Sequence, residues 1–262
     1  MTETAVNWNT VAAERTMTRV VELIEKTTGE VIDKENLPFP TSLNDLRVRK
    51  TWALLCSADT AELFPVGSDA ETVLMQALQP ERLADLRVVI ALSQPAPLAA
   101  GIGVGYLDRK ARASHGADFY AGWTELTYEQ ALLASVLHPT YGLFVYQEQL
   151  TQIGTVVAGF DSRMNSLLRQ AASRKDSELW ETVRRAFLHG ARLEKRDLIT
   201  GQLISSLFQL QTADRMFASM RASVGYAVSA EYCAAVAQQL YALAFLKANW
   251  PDQYAAITDS LV

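Results

Sequence analysis

Apolar residues recur at helical spacing through most of this chain. From Thr10 to Lys26 they fall at Val11, Met17, Val20, Val21 and Ile24, which places them on one face of a helix. After the proline-containing loop 37–40, Ser42-Leu43-Asn44-Asp45 offers capping groups for a second helix that runs to about Ala58. Ser68 and Glu71 have capping-box spacing and open a third helix. Pro80 is expected in the first turn of the next, which Pro95 and Pro97 then stop. The same periodicity predicts helices over 101–112, 127–137, 144–157, 162–173, 177–194, 198–210, 213–222 and 229–249, the last and longest closed by Pro251. Only Glu62 to Val66 reads as a strand. The expected fold class is mainly α, a helical domain with at most one or two short strands. No repeat, low-complexity run or glycine-rich linker divides the chain. A single domain over 1–262 is therefore expected, with two sub-lobes, about 1–113 and 128–262, separated by the loop from Ala113 to Thr127.

Composition narrows the picture further. With 262 residues and 49% hydrophobic content, the chain can bury one large core or two smaller ones. Met1 to Ala13 lacks the basic start and apolar stretch of a signal peptide, and no apolar run reaches membrane-spanning length. A cytoplasmic protein with no membrane role is expected. Cys56 and Cys233 form no CxxC pair, and His115, His138 and His189 have no ligand spacing, so no cofactor or metal is expected. The net charge of −5 argues against a general DNA-coating protein. Charge is uneven, however. Between Arg163 and Arg196, nine basic residues face four acids. That run is either a solvated helix face or a surface for anions.

The most distinctive stretch is Pro139-Thr140-Tyr141-Gly142, three residues on to Tyr146-Gln147-Glu148-Gln149. It resembles the run PTYGxxxYQEQ of the bacterial replicative DNA polymerase of the C family, the alpha subunit of DNA polymerase III, where it lies in the fingers domain. The resemblance continues upstream, where Ile90 to Ala113 is similar to IALxxRPGPLxSGxxxxFIxRKHG, and downstream, where Ala158 to Lys175 is similar to AGYSLGxADLLRRAMGKK. Met216 to Pro251 aligns without a gap to a further fingers segment. The match covers almost the whole chain but about a quarter of such a polymerase.

The resemblance implies a fingers-like helical fold and a region that touches the incoming nucleotide's phosphates and lies near template DNA. It carries over, residue by residue, to Arg109 and Lys110 of the Arg-Lys pair, to Tyr146 and Gln149 of the YQEQ run, and to Arg169, Arg174 and Lys175 of the LLRRAMGKK run. These seven are the candidate nucleotide- or DNA-binding residues. For Tyr146 to Gln149 the plainer alternative is a packed first turn of a helix. Other positions of the family's pattern are changed. Gln170 replaces an arginine and loses a bidentate phosphate fork. RPGP has become Gln94-Pro95-Ala96-Pro97, and the family's FNKSHS has become Val228-Ser229-Ala230-Glu231-Tyr232-Cys233.

Two of the family's three metal-binding aspartates lie in a segment without counterpart here, and the third falls on Asn7, a neutral amide. Two-metal phosphoryl transfer needs such carboxylates to hold its cations. No catalytic residue is therefore assigned. The expectation is a catalytically inactive fingers-like protein, possible also from a bacteriophage, acting in DNA replication or its control by weak binding of DNA or dNTP or of a host replisome component. The alternatives are a subunit of a split polymerase and a helical interaction scaffold with no nucleic-acid role.

Overall fold

The computed structural model describes residues 3–34, 37, 44–57, 59–60, 62–63, 69–120, 122–174, 176–193, 195–196, 201, 203–205 and 208–259. The side chains of 3–10, 174, 195–196 and 203–205 fall outside that description. The mainly α expectation holds. The chain forms two compact units, one of residues 1–94 with 231–262 and one of residues 95–230.

Unit 1 contains α1 (Glu3–Thr28), α2 (Leu46–Ser57), α3 (Asp69–Leu78), α4 (Leu83–Leu92), nearly all of α12 (Ala230–Asn249) and α13 (Pro251–Thr258). On α1 the buried positions Ala13, Thr16, Val20 and Ile24 repeat at three- and four-residue steps, and Gly29 ends the helix with φ 73. Asp45 accepts the Arg47 N–H at 2.8 Å and so caps the start of α2, as its sequence position suggests. Every residue from Leu240 to Leu246 is buried, which makes α12 the centre of this unit's core. Trp52 lies 5.2 Å from the Tyr241 ring.

Unit 2 contains α5 (Pro95–Ala99), α6 (Ile102–Ala113), α7 (Thr127–Leu137), a 3-10 turn (His138–Thr140), α8 (Gln147–Ala158), α9 (Ser162–Arg174), α10 (Ser177–Gly190), β1 (Lys195–Arg196), β2 (Leu203–Ser205) and α11 (Leu210–Ser223). Asp161 and Asp176 cap α9 and α10, accepting N–H groups of Met164 at 2.8 Å and of Glu178 and Leu179 at 3.0 Å. Helices α8, α9, α10 and α11 enclose a core in which the Phe217 ring lies 5.3 Å from both Trp180 and Phe187. Gly190 lets α10 reach the end of α8, because a Cβ there would clash with the Ala158 carbonyl oxygen.

Several expected elements are corrected. The helix expected over 198–210 is absent where the chain is described. Leu203–Ser205 pairs antiparallel with Lys195–Arg196, Gly201 has φ 69, and α11 starts only at Leu210. Glu62 and Leu63 are not a strand, Glu62 having φ 67; the rest of that stretch lies outside the described residues, as does Ser68. Pro80 precedes α4 rather than joining its first turn, since Asp85 Oδ2 accepts the Glu81 N–H and sets the start later. Residues 144–146 are extended ahead of α8. Pro95 and Pro251 do not merely stop helices, because each also begins one.

Candidate functional site

The run 139–149 forms a turn and a helix start whose polar side chains bind backbone. Tyr141 and Gly142 both have positive φ, 51 and 77, directly after the 3-10 turn. Gln149 is 4% exposed. Its Oε1 accepts the N–H groups of Val145 at 2.8 Å and Tyr146 at 2.9 Å, and its Nε2 donates to Thr140 Oγ1 at 2.7 Å. Gln147 Nε2 donates to the Ala227 carbonyl at 3.0 Å, while its backbone N–H donates to Val228 O at 2.8 Å. Glu148 accepts from the Ala230 N–H at 2.9 Å and from the Ser229 hydroxyl at 3.2 Å. Tyr146 sits half-buried at the α8 N-cap, in a parallel bridge with Val228. Two segments eighty residues apart are thus stitched together by Gln147, Glu148 and the backbone of Val145 and Gln147.

Arg109 is engaged in a similar way. It projects from α6, donates from Nη1 to the Tyr141 carbonyl at 2.8 Å and stands 5.7 Å over the Phe119 ring. Burial lowers its pKa, with Arg112 adding to the effect and Asp108 and Tyr120 opposing it. A side chain at Gly142 would meet Arg109 Nη1 at 2.9 Å, so the turn, the guanidinium and the glycine form one packed unit. Lys110 is half-buried on the same helix.

An open hollow of about 340 Å3 lies in unit 2, lined by Gln147 and Leu150 of α8, by Val224, and by Ser166, Leu168, Arg169, Gln170, Ala172 and Ser173 of α9. Arg169 is exposed there and its Nη2 donates to Ser166 Oγ at 3.3 Å. The rim is therefore one guanidinium with hydroxyls and amides, over a floor of Leu150, Leu168, Ala172 and Val224. That combination suits an anion carried on an apolar or planar body.

Of the seven expected site residues, the structure places Arg169 on this hollow, Tyr146 at the α8 N-cap outside its lining, and Gln149 and Arg109 in internal packing. Arg174 has no described side chain and Lys175 lies outside the described residues. Ser166, Gln170 and Ser173 were not among the expected ligands, yet with Arg169 they occupy positions i, i+4, i+7 and i+3 of α9. That polar stripe is legible in the sequence once 162–174 is taken as a helix.

Elsewhere in the basic run, Arg163, Arg185 and Arg192 are exposed. Arg184 is engaged, donating to Asp214 at 2.7 Å and to Glu181 at 3.3 Å; the Asp214 hydrogen bond and charge raise its pKa. Gln94 turns back onto its own helix region, donating to the Ile90 carbonyl at 3.1 Å. Among the described residues, no three His, Cys, Asp or Glu side chains gather in a way that could hold a metal. No helix there is long and apolar enough to cross a membrane.

A family model described as the bacterial DNA polymerase III alpha subunit finger domain matches residues 14–195. Among similar proteins, the DNA polymerase III subunit alpha of Halalkalibacterium halodurans is 30% identical over 243 residues, covering 92% of this chain and 19% of its own length. The subunit alpha of Escherichia coli K12 is 28% identical over 219 residues, 84% of this chain and 17% of its own. That of Thermus aquaticus is 28% identical over 245 residues, 92% of this chain and 18% of its own. The chain thus spans less than a fifth of the length of these relatives.

Proposed function

The chain belongs to the bacterial DNA polymerase III alpha subunit finger-domain family, and from that membership we propose that it is a non-catalytic fingers protein that binds a phosphate-bearing ligand, DNA or a nucleotide, in DNA replication or its control in the cytoplasm. The observation that carries the reading is the Arg169 hollow, in which an exposed guanidinium is set among hydroxyl and amide groups over an apolar floor. Charge distribution supports it. Unit 1 holds ten basic and seventeen acidic residues, unit 2 fourteen and twelve, so the basic character of an acidic chain is concentrated in the unit that holds the hollow. Binding rather than catalysis is proposed because, among the described residues, no grouped carboxylates of the kind two-metal chemistry uses accompany this phosphate contact.

The test is fluorescence anisotropy with a labelled single-stranded oligonucleotide, and competition by a dNTP, across a salt series. Binding should weaken linearly in log salt, and Arg169→Ala should weaken it and reduce the slope by about one unit. Template-dependent primer extension should be undetectable with magnesium or manganese. A second reading, a helical interaction scaffold with no nucleic-acid role, draws on Arg109 and Gln149, which packing has absorbed. No association at low salt would select that reading.

A further inference from the structure

We infer that the ligand of the Arg169 hollow is a single strand of DNA rather than a free nucleotide, with Arg163 as a second phosphate contact; this rests on the phosphate-binding reading above and names its ligand. Among the described residues that line the hollow, Arg169 is the one cation. A nucleoside triphosphate gathers its charges on three adjacent phosphates, which nucleotide sites meet with several cations or a metal at once. A strand spreads them instead, one to each nucleotide. A lone guanidinium at the rim therefore matches one phosphate of a strand.

Helix α9 supplies the next contact. Its sequence contains no acidic residue, and Asp161 just before it is engaged in capping through the Met164 N–H. Arg163 is exposed and stands three residues before Ser166 and seven before Gln170, both in the lining, so it continues the same helix face. At about 100° per residue, positions 163, 166, 169, 170 and 173 fall within about a third of the helix circumference, with Arg163 at one edge and Arg169 at the other. The two arginines are about 9 Å apart along the axis. One strand of duplex DNA advances about 3.4 Å per phosphate and an unstacked strand further, so this separation suits phosphates on either side of one or two nucleotides. Between them Ser166, Gln170 and Ser173 offer polar contacts, and the floor of Leu150, Leu168, Ala172 and Val224 takes the face of an unpaired base. The bases of a duplex stay stacked inside it and do not reach such a floor.

The test is the anisotropy of labelled (dT)12, with unlabelled dTTP, thymidine 5′-monophosphate and the (dA)12·(dT)12 duplex as competitors. At low salt (dT)12 should bind at least about tenfold more tightly than dTTP or the duplex. Arg163→Ala should weaken (dT)12 about fivefold and reduce its salt slope by about one unit, without changing competition by thymidine 5′-monophosphate, which meets Arg169 alone. Arg169→Ala should weaken both. Arg185→Ala, which removes an exposed cation from α10, should leave the slope unchanged. The inference is overturned, with the phosphate-binding reading intact, if dTTP or the duplex binds through Arg169 as well as (dT)12 does, or if Arg163→Ala has no more effect than Arg185→Ala. If nothing associates at low salt, or Arg169→Ala changes nothing, the reading of the hollow fails and this inference fails with it.

Discussion

Gln149 does the work of several backbone partners at once. Its single amide serves the N–H groups of Val145 and Tyr146 and the hydroxyl of Thr140, the first and last of these in buried bonds. Gln149→Ala leaves the two N–H groups without that acceptor, while the Thr140 hydroxyl keeps its bond to the Leu143 carbonyl, so unfolding in urea should show a loss of about 2–4 kcal/mol. A nucleotide ligand at that position would behave in the opposite way, losing affinity while keeping stability. Tyr120 is a different case, since its hydroxyl is buried without a partner. Burial, with Asp118 adding to it and Arg109 opposing it, pushes its pKa up to about 12, and Tyr241 is likewise raised to about 12 by burial and Asp45. Tyr254 is raised further by burial and Glu62. A tyrosine in the unfolded chain ionises at about pH 10. Between that pH and 12 the unfolded state has lost protons that the folded state keeps, so stability present below pH 10 declines as pH rises through that window. Melting temperatures measured from pH 9 to 12 should fall accordingly. Tyr120→Phe should make the fall shallower and cost little at neutral pH, because no hydrogen bond is lost.

At the scale of elements, the close approach of α10 to α8 depends on one hydrogen atom. Gly190→Ala forces a methyl group against the Ala158 carbonyl, where backbone and not a flexible side chain must yield. The expected cost is about 3 kcal/mol in chemical denaturation, whereas Gly105→Ala, with open space around its Cβ position, should be neutral or stabilising. Helix existence was legible wherever the apolar period was long: 127–137 is observed unchanged, and 162–173 differs by one residue. Punctuation was read less well. In the sequence Pro95 and Pro251 read as stops, yet a fixed φ and a missing N–H suit the first turn of a helix equally, and both residues occupy such a position. The 198–210 segment has apolar residues at a helix-compatible spacing, but Gly201, near its start, adopts φ 69, which ends a helix. The candidate site was legible only in part, because sequence spacing marks which residues share a helix face and not which of them tertiary packing consumes. Arg169 and Arg109 look alike in the sequence; the carbonyl of Tyr141 distinguishes them.

At the scale of the molecule, the proposed site lies in the less acidic unit, so polyanion binding should respond to Arg169 far more than to Lys50 or Lys26 of unit 1. Paired alanine substitutions read in the same salt series would check it. The division also bears on the order in which the protein takes shape during synthesis. Unit 2 is an unbroken run from Pro95 to Ala230, whereas unit 1 takes its central helix from residues that follow that run. As the chain leaves the ribosome, unit 2 has all its parts while the first ninety-four residues still wait for α12 to fill their core. Trp52, which packs on Tyr241 of α12, lacks that partner in that interval. Nascent chains arrested after Ala230 should therefore show a protease-resistant unit 2 behind a cleavable N-terminal segment, which becomes protected only when the last helices have emerged.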